Sequence, residues 1–579
     1  MPVVRISVSK VAITLTMPVG TPEEVIPKFC IKQRKADTYC CSIRHLPEVL
    51  ALYRDKPIIN FPLSIQQLYA DEMRRREFSE DYKHGEIPPV DSPTELWEHQ
   101  KRGVALARVN SRYAFFYDTR TGKTRMAYQI ILEAIRSHRT QRAIVFVPSS
   151  IIPDWLSDAK EFPELSVVAY YKDEATKQQA ATSLASNTAN VLIMSVELAV
   201  RSADFTSKWH FNMGFFDESS KLKSHKTQIS KYMLKYAWTL QYFYLLSATP
   251  APNGYQEYYV QMRCIDPCIF PAARYAFVDT YFNNYSKNTN YEKLAIKPER
   301  KAEFEALINE YAIYVDQKVM PVSQKKYIPL RYVLPPESRV FYDKMCKDMT
   351  VQLDGKDITV DMATSIRAKL QQIASGFIID TEAIKQNEQA KYLPDIPRLA
   401  TIHRIPGAAA AMRLGMVQAI FEENGWHEKY VIWANYHQEF NDLAAWLFAH
   451  NIHYGLLNGE VSVADKEAVV ESFKHGTTQV ILCHPLSVGM GKNFTESHIA
   501  IYYSLTDSWE AFKQSCERIA GHIAIQPFDC LYYILLAEDT VNELVYENIM
   551  NKRETSYGIL QHLQSRNASM HKLEAKDGR

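Results

Sequence analysis

The run YDTRTGKT ends in Thr121, Gly122, Lys123 and Thr124, and it follows the apolar stretch Tyr113–Phe116. A buried strand that turns sharply through such a loop into a helix is a phosphate-binding arrangement. Main-chain N–H groups and the positive end of the helix cradle the phosphate oxygens. Thr121 and Gly122 form the cradle, Lys123 reaches the β and γ oxygens, and the Thr124 hydroxyl binds Mg²⁺. The full pattern asks for a Gly five places before Gly122, where Tyr117 stands. Further on, FFDESSKLKS puts Asp217 and Glu218 at the end of another apolar run. Adjacent carboxylates there are costly unless they serve a cation or a water. Asp217 is the candidate for Mg²⁺, through water, and Glu218 for orienting and deprotonating an attacking water. The chemistry these residues suit is that of ATP with Mg²⁺.

Other candidates are weaker one by one. Gln100, in LWEHQKRGVALA, has a carboxamide that can donate to and accept from an adenine edge at once. Pro148-Ser149-Ser150 and MSVELAV each follow an apolar run. Their hydroxyl and N–H groups suit either a nucleic-acid phosphate or a plain helix N-cap. Ser247-Ala248-Thr249, in YLLSATPAPN, ends a further run and could couple the nucleotide site to a bound strand. Gly489 and Gly491, in LCHPLSVGMGKNF, sit where backbone must approach a ligand closely. Gln514 and Arg518 are four positions apart, which places them on one helical face, with Arg518 a candidate arginine finger.

The elements that must hold these residues are legible as alternating patterns. Between residues 92 and 255, RYAFFY, RAIVFVP, SVVAYY, NVLIMS, FNMGFFD and YFYLLSAT are short, apolar and bounded by turn residues, as buried parallel strands are. From 256 to 410 the pattern is mostly helical, interrupted by the strand-like KYIPLRYVLP. Between 411 and 545, KYVIWAN, HYGLLNG, TQVILCH, IAIYYS and CLYYILL restore the alternation. The expectation is an α/β protein: a first lobe at 92–255, helical insertions at 256–410 and a second lobe at 411–545. A small α+β unit at 1–91 is a candidate DNA-recognition module, and a polar tail occupies 546–579.

A chain of 579 residues exceeds what one core usually supports. Its formal net charge of +1 neither demands nor excludes nucleic acid, so any such contact must come from local basic patches. The nine Cys lack the spacing of a disulfide framework or a zinc site and read as reduced, mostly buried thiols. Neither a signal-peptide core nor a membrane-length apolar stretch is apparent, which points to an intracellular protein without a membrane partner.

The ordered set is more specific than its members. The Gln100 helix, GKT, PSS, SVE, DESS, SAT, GMGKN and Gln514–Arg518 follow the motif order of the superfamily-2 helicases and translocases. VPSSIIPDWLSDAKEF, DESSKLKS, SATPAPN, CIDPCIFPAARYAFVDTYFNN, KYVIWANYHQEFNDLAAWL and LNGEVSVADKEAVVESFKHG resemble the Swi/Snf-type branch, especially its compact phage and bacterial members. The resemblance spans residues from about 92 to 550. It implies two RecA-like lobes with ATP between them, and hydrolysis coupled to translocation on duplex DNA or remodelling of forks. It assigns Lys123, Thr124, Asp217, Glu218, Gln100, Gly491, Gln514 and Arg518 the roles given above. Two positions depart from the branch. Arg120 stands where it commonly has Gly, and Gly521 where it has a second arginine. The second departure leaves three outcomes: Arg518 acts alone, His522 assists, or turnover is slow. An RNA-dependent enzyme of the superfamily and a nucleotide-gated DNA-binding protein are the alternatives.

Overall fold

The apolar runs of the first half become strands, and the polar-faced stretches between them become helices that cover the sheet. The structure is a computed structural model describing residues 5–8, 12–17, 21, 26, 30–32, 37–53, 65–171, 173–285, 294–353, 356–359, 363–380, 401–459, 461, 463–485 and 493–552. Two units divide between Val319 and Met320.

The first unit opens with an antiparallel sheet in the order β1-β2-β4-β3, made of β1 (Arg5–Val8), β2 (Ala12–Thr16), β3 (Ile31–Lys32) and β4 (Thr38–Ser42). Its inner face packs Ile6, Ile13, Leu15 and Cys41 against Leu46 and Val49. A helix, Ile65–His84, follows. This N-terminal part is fastened to what comes after it. Arg44 pairs with Glu310 at 3.0 Å, and its guanidinium lies 3.5 Å from the centre of the Tyr311 ring. Lys83 donates to the Asn309 carbonyl at 2.8 Å. Cys40 and Cys268, 228 positions apart, form a disulfide. This corrects the expectation that all the cysteines are free thiols; nothing in their spacing marks the pair.

The main sheet of this unit is wholly parallel. Its strands are β5 (Arg112–Tyr117), β6 (Ala143–Val147), β7 (Val167–Tyr170), β8 (Val191–Ser195), β9 (Met213–Asp217) and β10 (Tyr242–Leu246). After the β11 (Phe282–Asn284) and β12 (Leu294–Ile296) hairpin comes β13 (Ala312–Val315). The order is β13-β5-β10-β9-β6-β8-β7. Every strand through β10 matches a run read from the sequence. β13 lies inside the stretch read as helical insertion, because AIYV follows the helix Pro298–Glu310 with only the capping residue Tyr311 between them. It pairs with β5, so the first sheet extends well past residue 255.

The second unit holds a six-stranded parallel sheet in the order β14-β23-β22-β19-β21-β20. Its strands are β14 (Lys325–Tyr332), β19 (Tyr430–Trp433), β20 (Tyr454–Leu457), β21 (Val480–Cys483), β22 (Ile499–Tyr502) and β23 (Cys530–Ala537). Two hairpins, β15 (Thr350–Leu353) with β16 (Lys356–Thr359) and β17 (Phe377–Asp380) with β18 (Thr401–Arg404), accompany helices Pro336–Asp348 and Ala363–Ala374. The strand-like KYIPLRYVLP is β14, paired with β23 from Lys325 to Tyr332. The second lobe therefore begins near Met320, its sheet reached by a strand from the region expected to be insertion. Residues 541–552 are helical, and the rest of the expected tail lies outside the described residues. The described part contains no helix long and apolar enough to cross a membrane.

Candidate nucleotide site

In the first unit β5, β10 and β9 are neighbours, with Leu246 paired to Phe115 on one side and Asp217 on the other. The three sequence motifs therefore leave the sheet at one level and from adjacent strands. They sit at the carboxyl ends, where β5 and β6 are separated by β10 and β9. Ligands of open α/β sheets bind at such a crossover.

The loop after β5 is shaped by two residues with left-handed backbone, Arg120 at φ +62° and Gly122 at φ +73°. Gly122 caps the helix Lys123–Arg136, whose face of Met126, Ala127, Ile130 and Ile131 is buried. Thr121 is buried and donates to the Asp118 carbonyl at 2.7 Å. Lys123 donates to the Tyr117 and Asp118 carbonyls at 3.0 and 3.1 Å, so its ammonium lies over the loop. Thr124 occupies the first turn of the helix, one residue beyond Lys123.

Gln100 is fully buried, and both ends of its carboxamide are engaged. Its Oε1 accepts from the Trp97 N–H at 2.8 Å, while its Nε2 donates to the carbonyls of Thr121 (3.3 Å) and Gly122 (3.0 Å). His99 Nε2 adds a contact to the Thr121 carbonyl at 2.8 Å. Here Gln100 braces the loop. The Tyr117 hydroxyl, at the position where a Gly was expected, reaches the His99 carbonyl at 2.8 Å and ties the same helix start to β5.

Asp217 ends β9 and is buried. Its Oδ2 accepts from Trp155 Nε1 at 3.1 Å and its Oδ1 from the Glu218 N–H at 2.9 Å. Burial pushes its carboxyl above the ordinary range, opposed by the charge of Lys123 and by these two donors. A carboxylate held this way gains from a cation, whose charge would reverse the desolvation cost. Glu218 is itself left-handed, at φ +55°. That conformation is strained for a side chain of its type and turns the chain sharply into Ser219–Leu222. The structure thus brings Gln100, Thr121, Gly122 and Lys123 together, with Lys123 close enough to act on Asp217. Sequence reasoning missed Trp155 and His99; WLSDAKEF and EHQ carry no sign of which residue they meet. Ser195 is a plain N-cap, accepting from Leu198 N–H at 3.2 Å.

In the second unit, Ser508 caps the helix Trp509–Cys516, which carries Gln514. Arg518 falls past its end, where its N–H bonds the Ser515 carbonyl at 3.1 Å. Glu517 caps the helix in αR backbone, so Arg518 falls two residues beyond the helix that carries Gln514 rather than within it. Gly521 is buried and bonded through its own backbone, its N–H donating to Ser323 Oγ at 3.2 Å and its carbonyl accepting from the Ser323 N–H at 2.9 Å. Gly489 and Gly491 lie outside the described residues.

A parallel α/β unit with a GKT loop, an aspartate–glutamate pair whose aspartate is buried, and an SAT turn on adjacent strand ends has the architecture of a RecA-like ATPase lobe. Residues 99–371 match the SNF2-related domain, and residues 413–521 match the helicase conserved C-terminal domain. The chain belongs to the Swi/Snf-type branch of the superfamily-2 helicases and translocases, a family of helicase-like ATPases. It is 19% identical over 418 residues to the chromodomain-helicase-DNA-binding protein 1-like of Danio rerio, covering 71% of this chain and 38% of that protein. It is 20% identical over 512 residues to the DNA repair and recombination protein RAD54B of Gallus gallus, covering 80% and 54%. The chain thus spans about half or less of the length of these relatives. A Sulfolobus solfataricus SWI2/SNF2 ATPase core in complex with dsDNA aligns at 16% identity over 83% of this chain and 96% of that one, with a TM-score of 0.37.

Proposed function

We propose that this chain is a Mg²⁺-dependent ATPase stimulated by DNA, which couples hydrolysis to translocation on, or remodelling of, duplex or forked DNA. The observation that carries the reading is the convergence of the GKT loop and the Asp217–Glu218 pair at the ends of β5 and β9, with Lys123 acting on Asp217. Main-chain N–H groups at Thr121–Thr124 and the Lys123 ammonium hold the polyphosphate. Gln100 serves the site through the loop it braces. Thr124 and Asp217 hold Mg²⁺, which neutralises phosphate charge when bound. Glu218 orients the attacking water and takes its proton. The family resemblance alone assigns Gln514 and Gly491 to nucleotide contacts and Arg518 to the transition state.

The test is steady-state ATP hydrolysis with Mg²⁺, alone and with duplex, forked and single-stranded DNA and with RNA. Lys123→Ala and Glu218→Gln are expected to abolish turnover, the second with ATP binding largely kept. Hydrolysis retained in both would overturn the site, and greater stimulation by RNA would reassign the substrate. Gly521 favours a second reading: the place of the second arginine is a buried backbone turn. Tight nucleotide binding without turnover would make the protein a nucleotide-gated DNA binder. DNA affinity in either case falls steeply with salt, because the contacts are to phosphates.

A further inference from the structure

Gln261 belongs to none of the motifs above, yet it joins two of them. It lies in the first turn of the helix Tyr258–Ile265, which follows SATPAPN, and it is fully buried. Its Nε2 donates to the Pro250 carbonyl at 2.6 Å and to the Glu257 carbonyl at 3.0 Å. Its Oε1 accepts from Ser219 Oγ at 2.6 Å. The amide can sit only this way round. Both carbonyls are acceptors, so the nitrogen must face them, and the oxygen is left to the Ser219 hydroxyl. Ser219 follows Glu218 directly, and Pro250 follows Thr249. Four residues before Gln261, at the cap of the same helix, Glu257 fixes the other end of the loop. Its carboxylate accepts from the Asn253 N–H at 3.0 Å and from Asn253 Nδ2 at 2.8 Å.

We propose that Gln261 is a positioning residue that locks the turn carrying Glu218 to the turn after SAT, so that a displacement of either is transmitted to the other. The inference rests on the ATPase reading for its consequence: DNA engaging the SAT side would set the orientation of Glu218 through one buried carboxamide. Water does not reach the bridge, since Ser219 and Gln261 are both fully buried. A hydrogen bond there has no solvent substitute when it is lost.

The experiment compares wild type, Gln261→Met, Ser219→Ala and the double variant. Methionine keeps the length of the side chain and removes both polar ends; Ser219→Thr, which keeps the hydroxyl, serves as the rescue control. DNA-stimulated kcat is expected to fall on the order of 10- to 100-fold in Gln261→Met, as for a misplaced catalytic group, with KM for ATP and the Kd of a fluorescent ATP analogue within about twofold. Ser219→Ala should fall in the same direction, the double variant no further than Gln261→Met, and Ser219→Thr should stay near wild type. Backbone hydrogen exchange at residues 218–222 should quicken in Gln261→Met. Loss of kcat and nucleotide affinity in equal measure, or additive effects of the two substitutions, would overturn the link. So would unchanged exchange at 218–222, a readout that holds whether or not the wild type hydrolyses ATP. Absence of wild-type hydrolysis with altered exchange would overturn the ATPase reading and leave the link standing.

Discussion

Gly122→Ala tests the geometry of the phosphate loop directly. Gly122 has φ +73°, and a Cβ placed there would lie 2.0 Å from Gln100 Nε2, with Gln100 Cδ at 3.3 Å and Trp97 at 3.5 Å. A 2.0 Å contact cannot persist, so the Gln100 carboxamide must swing away. In doing so it gives up its donations to the Thr121 and Gly122 carbonyls. Two hydrogen bonds at about 1 kcal/mol each, plus about 1 kcal/mol for alanine in a left-handed conformation, total about 3 kcal/mol. If the loop must be restored to hold phosphate, nucleotide affinity falls about 100-fold.

The same arithmetic predicts a non-additive pair. Gln100→Ala alone removes the brace, a loss of about 2 kcal/mol. In that background Gly122→Ala meets no amide and adds only the backbone term of about 1 kcal/mol. The double variant should therefore lose about 3 kcal/mol where the two single losses sum to about 5 kcal/mol, a coupling of about 2 kcal/mol. Titration of a fluorescent ATP analogue against the four proteins reads each value. Additivity within about 0.5 kcal/mol, or wild-type affinity in Gly122→Ala, would refute the brace.

Three further outcomes follow from buried charge. Burial, reinforced by Glu161 and Asp154 against Arg125, raises the Asp158 carboxyl to about 6. Since the folded value exceeds the unfolded one, its contribution is most favourable below about pH 4, declines between about 4 and 6, and is flat above. Asp158→Asn should thus stabilise the fold above pH 6 by on the order of 1 kcal/mol after solvent screening, with no gain at pH 4; a gain independent of pH in thermal melts would contradict this. Arg112 is buried and donates to the carbonyls of Ala237, Leu240, Cys264 and Ile265, tying two turns beneath the first sheet. Arg112→Met strands all four and should cost at least about 3 kcal/mol in denaturant unfolding, where a loss under about 1 kcal/mol would show the turns held by other means. In the second unit Arg413 and Glu439, both nearly fully buried, pair at 3.3 Å, and Glu439 also accepts from Ser375, Ser504 and the Asn435 N–H. Arg413→Met should cost about 3–5 kcal/mol by leaving a buried carboxylate, with part recovered in Arg413→Met/Glu439→Gln; equal unfolding midpoints for the two would refute the charge argument.

Much of the fold was legible because buried parallel strands are short, apolar and bounded by turn residues. Every strand of the first sheet from β5 to β10 stands within a run read from the sequence. β13 was not legible, since four residues set off from a helix by Tyr311 alone, with no Gly or Pro between, show no period of their own. The side-chain pairings were not legible either. Trp155 on Asp217, Gln261 on Ser219 and Cys40 on Cys268 join residues whose separation in the chain says nothing of their separation in space. Arg518 shows the converse: a spacing of four fits a helical face, but the helix that carries Gln514 ends at Cys516, two residues before it.

Disagreement between residue type and backbone is a sharper signal than either alone. Nine non-glycine residues have positive φ among the described residues, and six of these are Asn, Asp or His, which adopt that region readily. The exceptions are Arg120, Glu218 and Met349. Met349 has a local reason, closing the helix Pro336–Asp348. Arg120 and Glu218 belong to the turns that leave β5 and β9, the two strand ends where the GKT loop and the acidic pair meet. Left-handed backbone costs about 1–2 kcal/mol at such residues. It persists where the surrounding structure over-determines it: the loop by Gln100, His99 and Lys123, the acidic turn by Trp155, Asp217 and Gln261. Arg120 drew notice in the sequence because a glycine was expected there, and its φ of +62° supplies the reason a glycine suits the position. The strain and the braces that hold it fall on the same few residues, which is the pattern of a site held in one geometry for use.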